Sequence, residues 1–557
     1  MKRFPLESVR RVGTAVLLVP AAILVAATCT NLTETPHNAL TPSNAFQTPQ
    51  ELLAGVAGVY ATLRGQDNNV GYFSIEEIPT DQEIIPTRGS DWFDNGQWLE
   101  LHRQTWTPNG AAAGTFFNGE WNDIFGAVAK ENFILSVVAQ GGGCNVSTLS
   151  GCAQKSADTT IAELRTLRAW DYYMLQNMFG GVPLVTAYPT PGAQPRATRD
   201  SVFRFLESEL LAAVPNLPAQ WPSQYYGRIT KGAANAILAA LYLNAGVFDK
   251  DVGPAAVSGK INPTSYNSCA GITVKGGDAC TAAIAAANAV INSGVYSLNP
   301  NWFQNFSLDN KSSPENIFVV EHSKDQTIGG NWPMRTLHYN QLNTGWGSPW
   351  NGFAATAETF TAFPASDERR GMWLYGQGYS FESGKPTTDR NGNNLVFTTT
   401  IRDAQAATEG EGVRFNKFPP LPDAPSGNGM PNDFTIFRLA EMYLIKAEAE
   451  NELGQTGAAT ADLAIIHDRH DPTNSVASMG LTSKQQIRDA ILHERLLEFS
   501  GEGKRRSDMI RAGKYLTWTE ASKNGVSPNP RDPHLIVFPV PAPQLASNNK
   551  LIQNAGY

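Results

Sequence analysis

Three groups of residues in this 557-residue chain have the types and spacing for chemistry. The first combines aromatic rings with amides, carboxylates and arginine: Arg88, Asp91, Trp92, Asn95, Gln97 and Trp98 in RGSDWFDNGQW, and Trp332, Tyr339, Trp346 and Trp350 in NWPMRTLHYNQLNTGWGSPWNGF. A flat ring stacks on the apolar C–H face of a pyranose, while amides, carboxylates and arginine bond its hydroxyls. These ten are the candidate ligand-binding residues, expected to converge on one exposed face. The competing role for each tryptophan is to anchor its loop to a scaffold. The second group is Glu494 and Glu498, an i, i+4 carboxylate pair. Glycosidase carboxylates face each other across the scissile bond, usually from different elements. Two on one helix beside Arg495, Arg505 and Arg506 read as a structural ion network, as do Glu441 and Glu448 with Arg438 and Lys446. His467 and His470, three apart beside Asp468 and Asp471, have no third ligand pattern and are read as capping or solvated. Asp367 and Arg369 of SDERRG form a structural pair that orders the loop after Phe363.

The third group is the cysteines. Cys144 and Cys152 lie in GGGCNVSTLSGC, and Cys269 and Cys280 in SCAGITVKGGDAC. Two clustered pairs suggest two local disulfides in an oxidising compartment. Zinc is the rival, but neither pair has CxxC spacing and neither loop holds a histidine. No Walker A, dinucleotide-binding, HExxH or GxSxG pattern is present, so neither cofactor, nor metal, nor catalytic residue is expected.

The elements that position these residues read as mostly α. Thr48-Pro49 opens a helix with Leu52, Val56, Val59 and Leu63 at helical spacing. A second helix spans about Glu120–Gln140. A third carries Leu164, Leu167, Met174 and Met178 and stops at Gly180-Gly181. DSVFRFLESELLAAVPNLP is capped by Asp200 or Ser201. ITKGAANAILAALYLNAG and DACTAAIAAANAVINSGVYSL are crowded with alanine, which lets helices approach closely. Residues 300–432 change to short β-like runs (Asn316–Val320, Asn394–Thr400) among Gly, Asn, Pro and aromatics. Helices return from about Asp433, the last opened by a capping box of Thr482 with Gln485. Small-residue helix pairs thus flank a loop-rich middle, and loops that long in an ordered chain are usually functional.

The net charge of −8 and the lack of a long basic run argue against nucleic acid and against anionic lipid. Residues 1–28 read as an export signal: Lys2, Arg3, Arg10 and Arg11 precede an apolar run too short and interrupted to span a bilayer. It ends at Cys29, where a bacterial lipobox places its lipidated cysteine, although Ala26 and Thr28 replace the usual Leu and Gly, Ala or Ser. Secretion with cleavage near Ala27 is the alternative. Residues 29–45 are a polar tether.

Seven segments, in order, resemble the SusD/RagB outer-membrane lipoproteins: LRAWDYYMLQNMFGGVPLV, GRITKGAANAILAALYLNAG, PENIFVVEHS, FPASDERRG, FRLAEMYLIKAEAENELG, ERLLEFSGEGKRRSDMIRAG and VFPVPAPQLASNNKLIQNAGY. The resemblance implies one SusD-like domain over 46–557, with a helical part to about 300, a loop-rich middle to about 432 and a helical remainder. It implies a mostly α fold with four tetratricopeptide-like helix pairs forming a right-handed scaffold, long irregular loops and a few short strands. It also implies an acyl anchor facing the exterior of the outer membrane, oligosaccharide binding without catalysis, and a SusC-like TonB-dependent transporter as partner. Peptide or another nutrient on the same scaffold is the alternative ligand, and a secreted glycoside hydrolase the more distant reading.

Overall fold

In the computed structural model, the nine long helices among the described residues pack in chain order, each against the next. They are α1 (Pro49–Tyr60), α2 (Asn118–Ala139), α3 (Gln154–Phe179), α4 (Arg199–Ala213), α5 (Lys231–Leu243), α6 (Ala279–Ile291), α7 (Leu439–Glu452), α8 (Thr456–His467) and α9 (Lys484–Phe499). The structure describes residues 45–46, 48–139, 154–190, 192–250, 261–324, 328–342, 348–423, 429–520, 522 and 530–557. The export signal, Cys29, most of the tether, Cys144, Cys152 and Trp346 lie outside them. Phe46–Tyr557 form one unit by contact. No helix among the described residues is long and apolar enough to cross a membrane.

Local chemistry sets the helix ends. Thr48 and Glu51 close a reciprocal capping box at the start of α1. Helix α3 ends where Gly180 takes φ +73° and returns its N–H to the Gln176 carbonyl, a left-handed stop that glycine adopts without strain. Two caps differ from the sequence reading. Thr198, not Asp200 or Ser201, caps α4 by accepting the Ser201 N–H. Ser483 with Gln486, one residue beyond Thr482 and Gln485, forms the box of α9.

Alanine explains the closeness of the central helices. On α5 every residue from Gly232 to Leu243 is buried, so this helix is apolar all round and sits inside the stack. Its neighbours α6 and α7 are separated by 147 residues of chain, the loop-rich middle, yet pack directly together. The longest antiparallel pair tying the middle back among the described residues is β1 (Asn316–Val320) with β2 (Phe434–Arg438), with Phe434 opposite Val320 and Thr435 opposite Val319. The sequence reading ran helix from Asp433; instead FTIFR is a fully buried strand and α7 starts at Leu439. Its alternating aromatic and β-branched residues favour a pleated, doubly covered strand.

Cys269 and Cys280 are disulfide-bonded. Glu494 and Glu498 do belong to a buried ion network, but its central cation is Arg369, which reaches Glu494 at 2.6 Å, Glu498 at 2.7 Å and Asp367 at 2.7 Å. The expected neighbours point elsewhere: Arg495 to Glu441 and Asp508, Arg505 to Asp81, Arg506 to Glu76. Glu448 pairs with Arg511, and Arg438 and Lys446 take other partners, Arg438 bridging Glu315, Glu498 and Glu502. His467 and His470 are neither caps nor solvated: both are buried, bonding Glu494 and Glu368 through Nδ1. Spacing along a helix shows which side chains share a face; these partners come from loops and helices far away in sequence.

Candidate ligand-binding surface

The two aromatic stretches meet. Arg88 joins them from beneath: its guanidinium donates to the carbonyls of Asn351 (2.9 Å), Gly352 (3.1 Å) and Glu411 (2.8 Å). It is buried, and burial pushes its pKa down to about 10. Arg88 is therefore a staple between three loops, not a ligand contact. A second buried guanidinium, Arg414, holds the Asn351 side-chain oxygen at 2.8 and 3.0 Å. A planar five-donor group suits this work, because it satisfies several carbonyls of irregular backbone at once.

Trp98 and Trp332 also leave the candidate surface. Trp98 lies on the short helix Gln97–His102, is buried, and donates its indole N–H to Asp94 at 2.8 Å. Leu101, three residues on, points into the same core, and that spacing was the signal for an inward ring. Trp332 is buried among Phe434 and Phe418, both stacked at 5.5 Å, with its N–H on Asp67 at 2.7 Å. Gln97 is engaged by the Thr115 hydroxyl.

Trp92 remains at the surface with support behind it. Trp98 and Phe353 meet it edge-on at 5.1 and 5.8 Å, and its indole N–H donates to the Trp350 carbonyl at 2.7 Å. Trp350, also half-buried, lies 6.4 Å away. Phe93 beside it is 57% exposed, and Asn95 is exposed. The backbone here is strained: Trp92, Asp94 and Asn95 have φ of 61°, 38° and 56°, and Asn351 has 51°. Four of the six non-glycine residues with positive φ among the described residues are thus in these two loops. Each such residue costs on the order of 1–3 kcal/mol and persists only where its surroundings fix it.

A polar cluster adjoins the rings. Asp91 accepts from the Tyr339 hydroxyl (2.5 Å) and from Arg390 (2.8 Å), and Arg390 lies 4.1 Å over the Tyr339 ring. Glu409 takes the Arg390 backbone N–H (2.9 Å) and its guanidinium (2.5 Å). Burial would raise the Glu409 carboxyl, but these bonds and His338 hold it below its usual range. His338 Nδ1 accepts the Asn340 N–H at 3.1 Å, which leaves the proton on Nε2 to face Glu409 at 2.9 Å. Burial keeps this imidazole below its ordinary pKa, hence neutral at pH 7. Of the sequence candidates the structure brings together Asp91, Trp92, Asn95, Tyr339 and Trp350. Phe93, His338, Arg390 and Glu409 were missed: Arg390 comes from the hairpin joining Gly376–Gln377 to Val396–Phe397 and Glu409 from the loop after it, both far along the chain from Asp91 and with no local motif.

This surface offers half-exposed rings and fixed hydrogen-bonding groups, and two of its carboxylates, Asp91 and Glu409, are bound to Arg390. Comparison with known proteins agrees with the fold. A profile of the SusD family matches residues 296–557, and a second, described as starch-binding associating with outer membrane, matches 34–243. A SusD-like protein of Formosa agariphila is 24% identical over 94% of this chain and 96% of its own. The starch-binding protein SusD of Bacteroides thetaiotaomicron is 24% identical over 90% and 86%. Surface glycan-binding protein A of B. thetaiotaomicron, solved with laminarihexaose, superposes with a TM-score of 0.68 at 18% identity, over 91% of this chain and 99% of that one. The matching profiles, the relatives that share nearly its full length and the stacked-helix fold all say the same: the chain belongs to the SusD family.

Proposed function

We propose that this protein binds glycan where its 88–98 and 390–409 loops meet residues 339–342 and 348–351, and makes or breaks no bond there. It would act on the exterior of the outer membrane, held by an acyl chain on Cys29, and pass its ligand to a SusC-like TonB-dependent transporter. The observation that carries the reading is Trp92 with Phe93, displayed by a strained loop and backed by buried rings, beside the Asp91–Tyr339–Arg390–Glu409 cluster. A pre-formed aromatic platform stacks a sugar ring with little ordering cost. Relatives whose names state starch binding or a bound laminarihexaose support the glycan class, and the profile description supports the membrane.

The Asp91–Glu409 pair supports binding without catalysis. A glycosidase needs one carboxyl with a raised pKa to act as general acid. Glu409 is held low and shares Arg390 with Asp91, the opposite electrostatic setting. A ligand that must be released suits micromolar affinity, about −8 kcal/mol.

Titration calorimetry of the purified protein against starch and laminarin oligosaccharides and a peptide pool tests the reading. Glycan binding should weaken at least about tenfold in Trp92→Ala, the loss of roughly one stacking contact. Capture of peptides but no glycan would overturn the ligand class. Unchanged affinity in both Trp92→Ala and Phe93→Ala, with native circular dichroism, would move the site elsewhere.

A further inference from the structure

Two other tyrosines are displayed like ligand platforms. Tyr375 and Tyr379 are 59% and 50% exposed, and both line a cleft of about 330 Å³ floored by the buried Trp373 and Phe397. Isolated exposed rings are ordinary; two on the rim of one aromatic-floored cleft form a patch. Tyr375 is backed by Phe360 at 5.2 Å, itself under the Arg370 guanidinium at 4.3 Å, so one face of the tyrosine is fixed and the other meets water. Tyr379 is pinned through its backbone, pairing with Pro386 and accepting the Gln341 amide at 3.2 Å. The amide N–H groups of Gln341 and Gln377 are engaged by backbone carbonyls, so the cleft offers ring faces and phenol hydroxyls. None of its lining residues is charged.

This cleft is coupled to the Trp92 surface by two shared segments. Tyr339 faces the first surface and Gln341 the second; Pro386 pairs with Tyr379, and Arg390 joins Asp91. The segments are locked together, Asn340 donating to the Thr388 carbonyl at 2.8 Å and Thr387 to the Asn340 carbonyl at 3.1 Å. Pro386 and Arg390 are four residues apart, a span of at most ~13 Å at the strand rise.

We propose that the Tyr375–Tyr379 cleft is a second subsite for the same ligand, which is therefore a neutral oligosaccharide long enough to lie across both surfaces. The inference rests on the proposed glycan reading. Lining residues without charge offer uronates and sulfated sugars no direct ion pair, which favours neutral sugars. A chain bound at one surface meets the second at high effective concentration, so affinity rises with length until both are occupied and then levels.

The test is calorimetry with neutral malto- and laminari-oligosaccharides from disaccharide to octasaccharide, on the wild type and on Tyr375→Ala/Tyr379→Ala. The wild type should gain about tenfold or more between the short and long members, then plateau. The double variant should bind long chains no tighter than short ones, whereas Trp92→Ala should weaken binding at every length. The two single variants, both at exposed positions, should each lose part of the gain, which guards against a folding defect in the double. Full length dependence in the double variant, or tighter binding of uronate oligosaccharides than neutral ones, would overturn the subsite. Failure of the wild type to bind any glycan overturns the glycan reading itself and this inference with it.

Discussion

Replacing Gly352 by alanine should dislodge Trp92 without altering any group offered to a ligand. An added Cβ would lie 2.3 and 2.4 Å from Cε2 and Cζ2 of the Trp92 indole, far inside contact distance. The indole is rigid and Trp98 and Phe353 block its inward side, so the relief open to it is to swing toward water. It would then lose the hydrogen bond to the Trp350 carbonyl, about 1 kcal/mol, and its edge contacts with Trp98 and Phe353, roughly 0.5–1.5 kcal/mol each. With partial relaxation the net cost is about 2 kcal/mol, within the usual range for overpacking. Urea unfolding followed by tryptophan fluorescence should show that loss with an unchanged m-value. Glycan affinity should fall at least as far as in Trp92→Ala, although Gly352 lies under the ring and presents nothing to the ligand. Wild-type stability together with wild-type affinity would refute the claim that the Trp92 pose is fixed by packing and that this pose is what binds.

Other consequences concern the scaffold. Arg369→Met leaves Asp367, Glu494 and Glu498 buried without their shared cation, and should cost about 3–5 kcal/mol in denaturant unfolding. Burial would raise the Glu494 carboxyl, but Arg369 and His467 hold it down to about 2. Its stabilisation is present above its unfolded value near 4.5 and is lost as pH falls toward 2, about 3 kcal/mol in all; a wild-type melting temperature that stays flat below pH 4.5 contradicts this. Burial opposes charge on His467 but Glu494 raises its pKa overall, so its contribution is complete below about pH 6.5 and is lost as pH rises through the folded value; His467→Gln should flatten that alkaline slope. Reduction of Cys269–Cys280, 11 residues apart, should lower stability by about 2–3 kcal/mol, read as a fall in melting temperature on adding reductant.

The helices were legible because their signals are local. The Thr48 cap, the Gly180 stop and the alanine-rich faces of α5 and α6 each act within a turn or two of chain. The convergence of the two tryptophan-rich loops was readable from shared composition, and the Tyr339–Asp91 and Trp92–Trp350 bonds now give it geometry. Which tryptophans face water was not readable in the same way. Trp92 and Trp98 sit six residues apart in similar company, and only the short helix beginning at Gln97 turns the second inward. Arg88 looked like a sugar contact because a guanidinium suits hydroxyls and carbonyls equally, and here the carbonyls of irregular loops claim it. Arg390 and Glu409 escaped notice because their roles are set by contacts between separate loops, Arg390 on a Gly- and Asn-rich hairpin and Glu409 beyond it.

The most direct test of a binding surface without chemistry is the crystal structure of this protein grown with a neutral hexasaccharide. We expect an intact sugar chain with one ring over Trp92 and Phe93, hydroxyls on the Asp91–Tyr339–Arg390 cluster, and its far end over Tyr375 and Tyr379. A chain bound on another face, or cleaved product in the crystal, would contradict it.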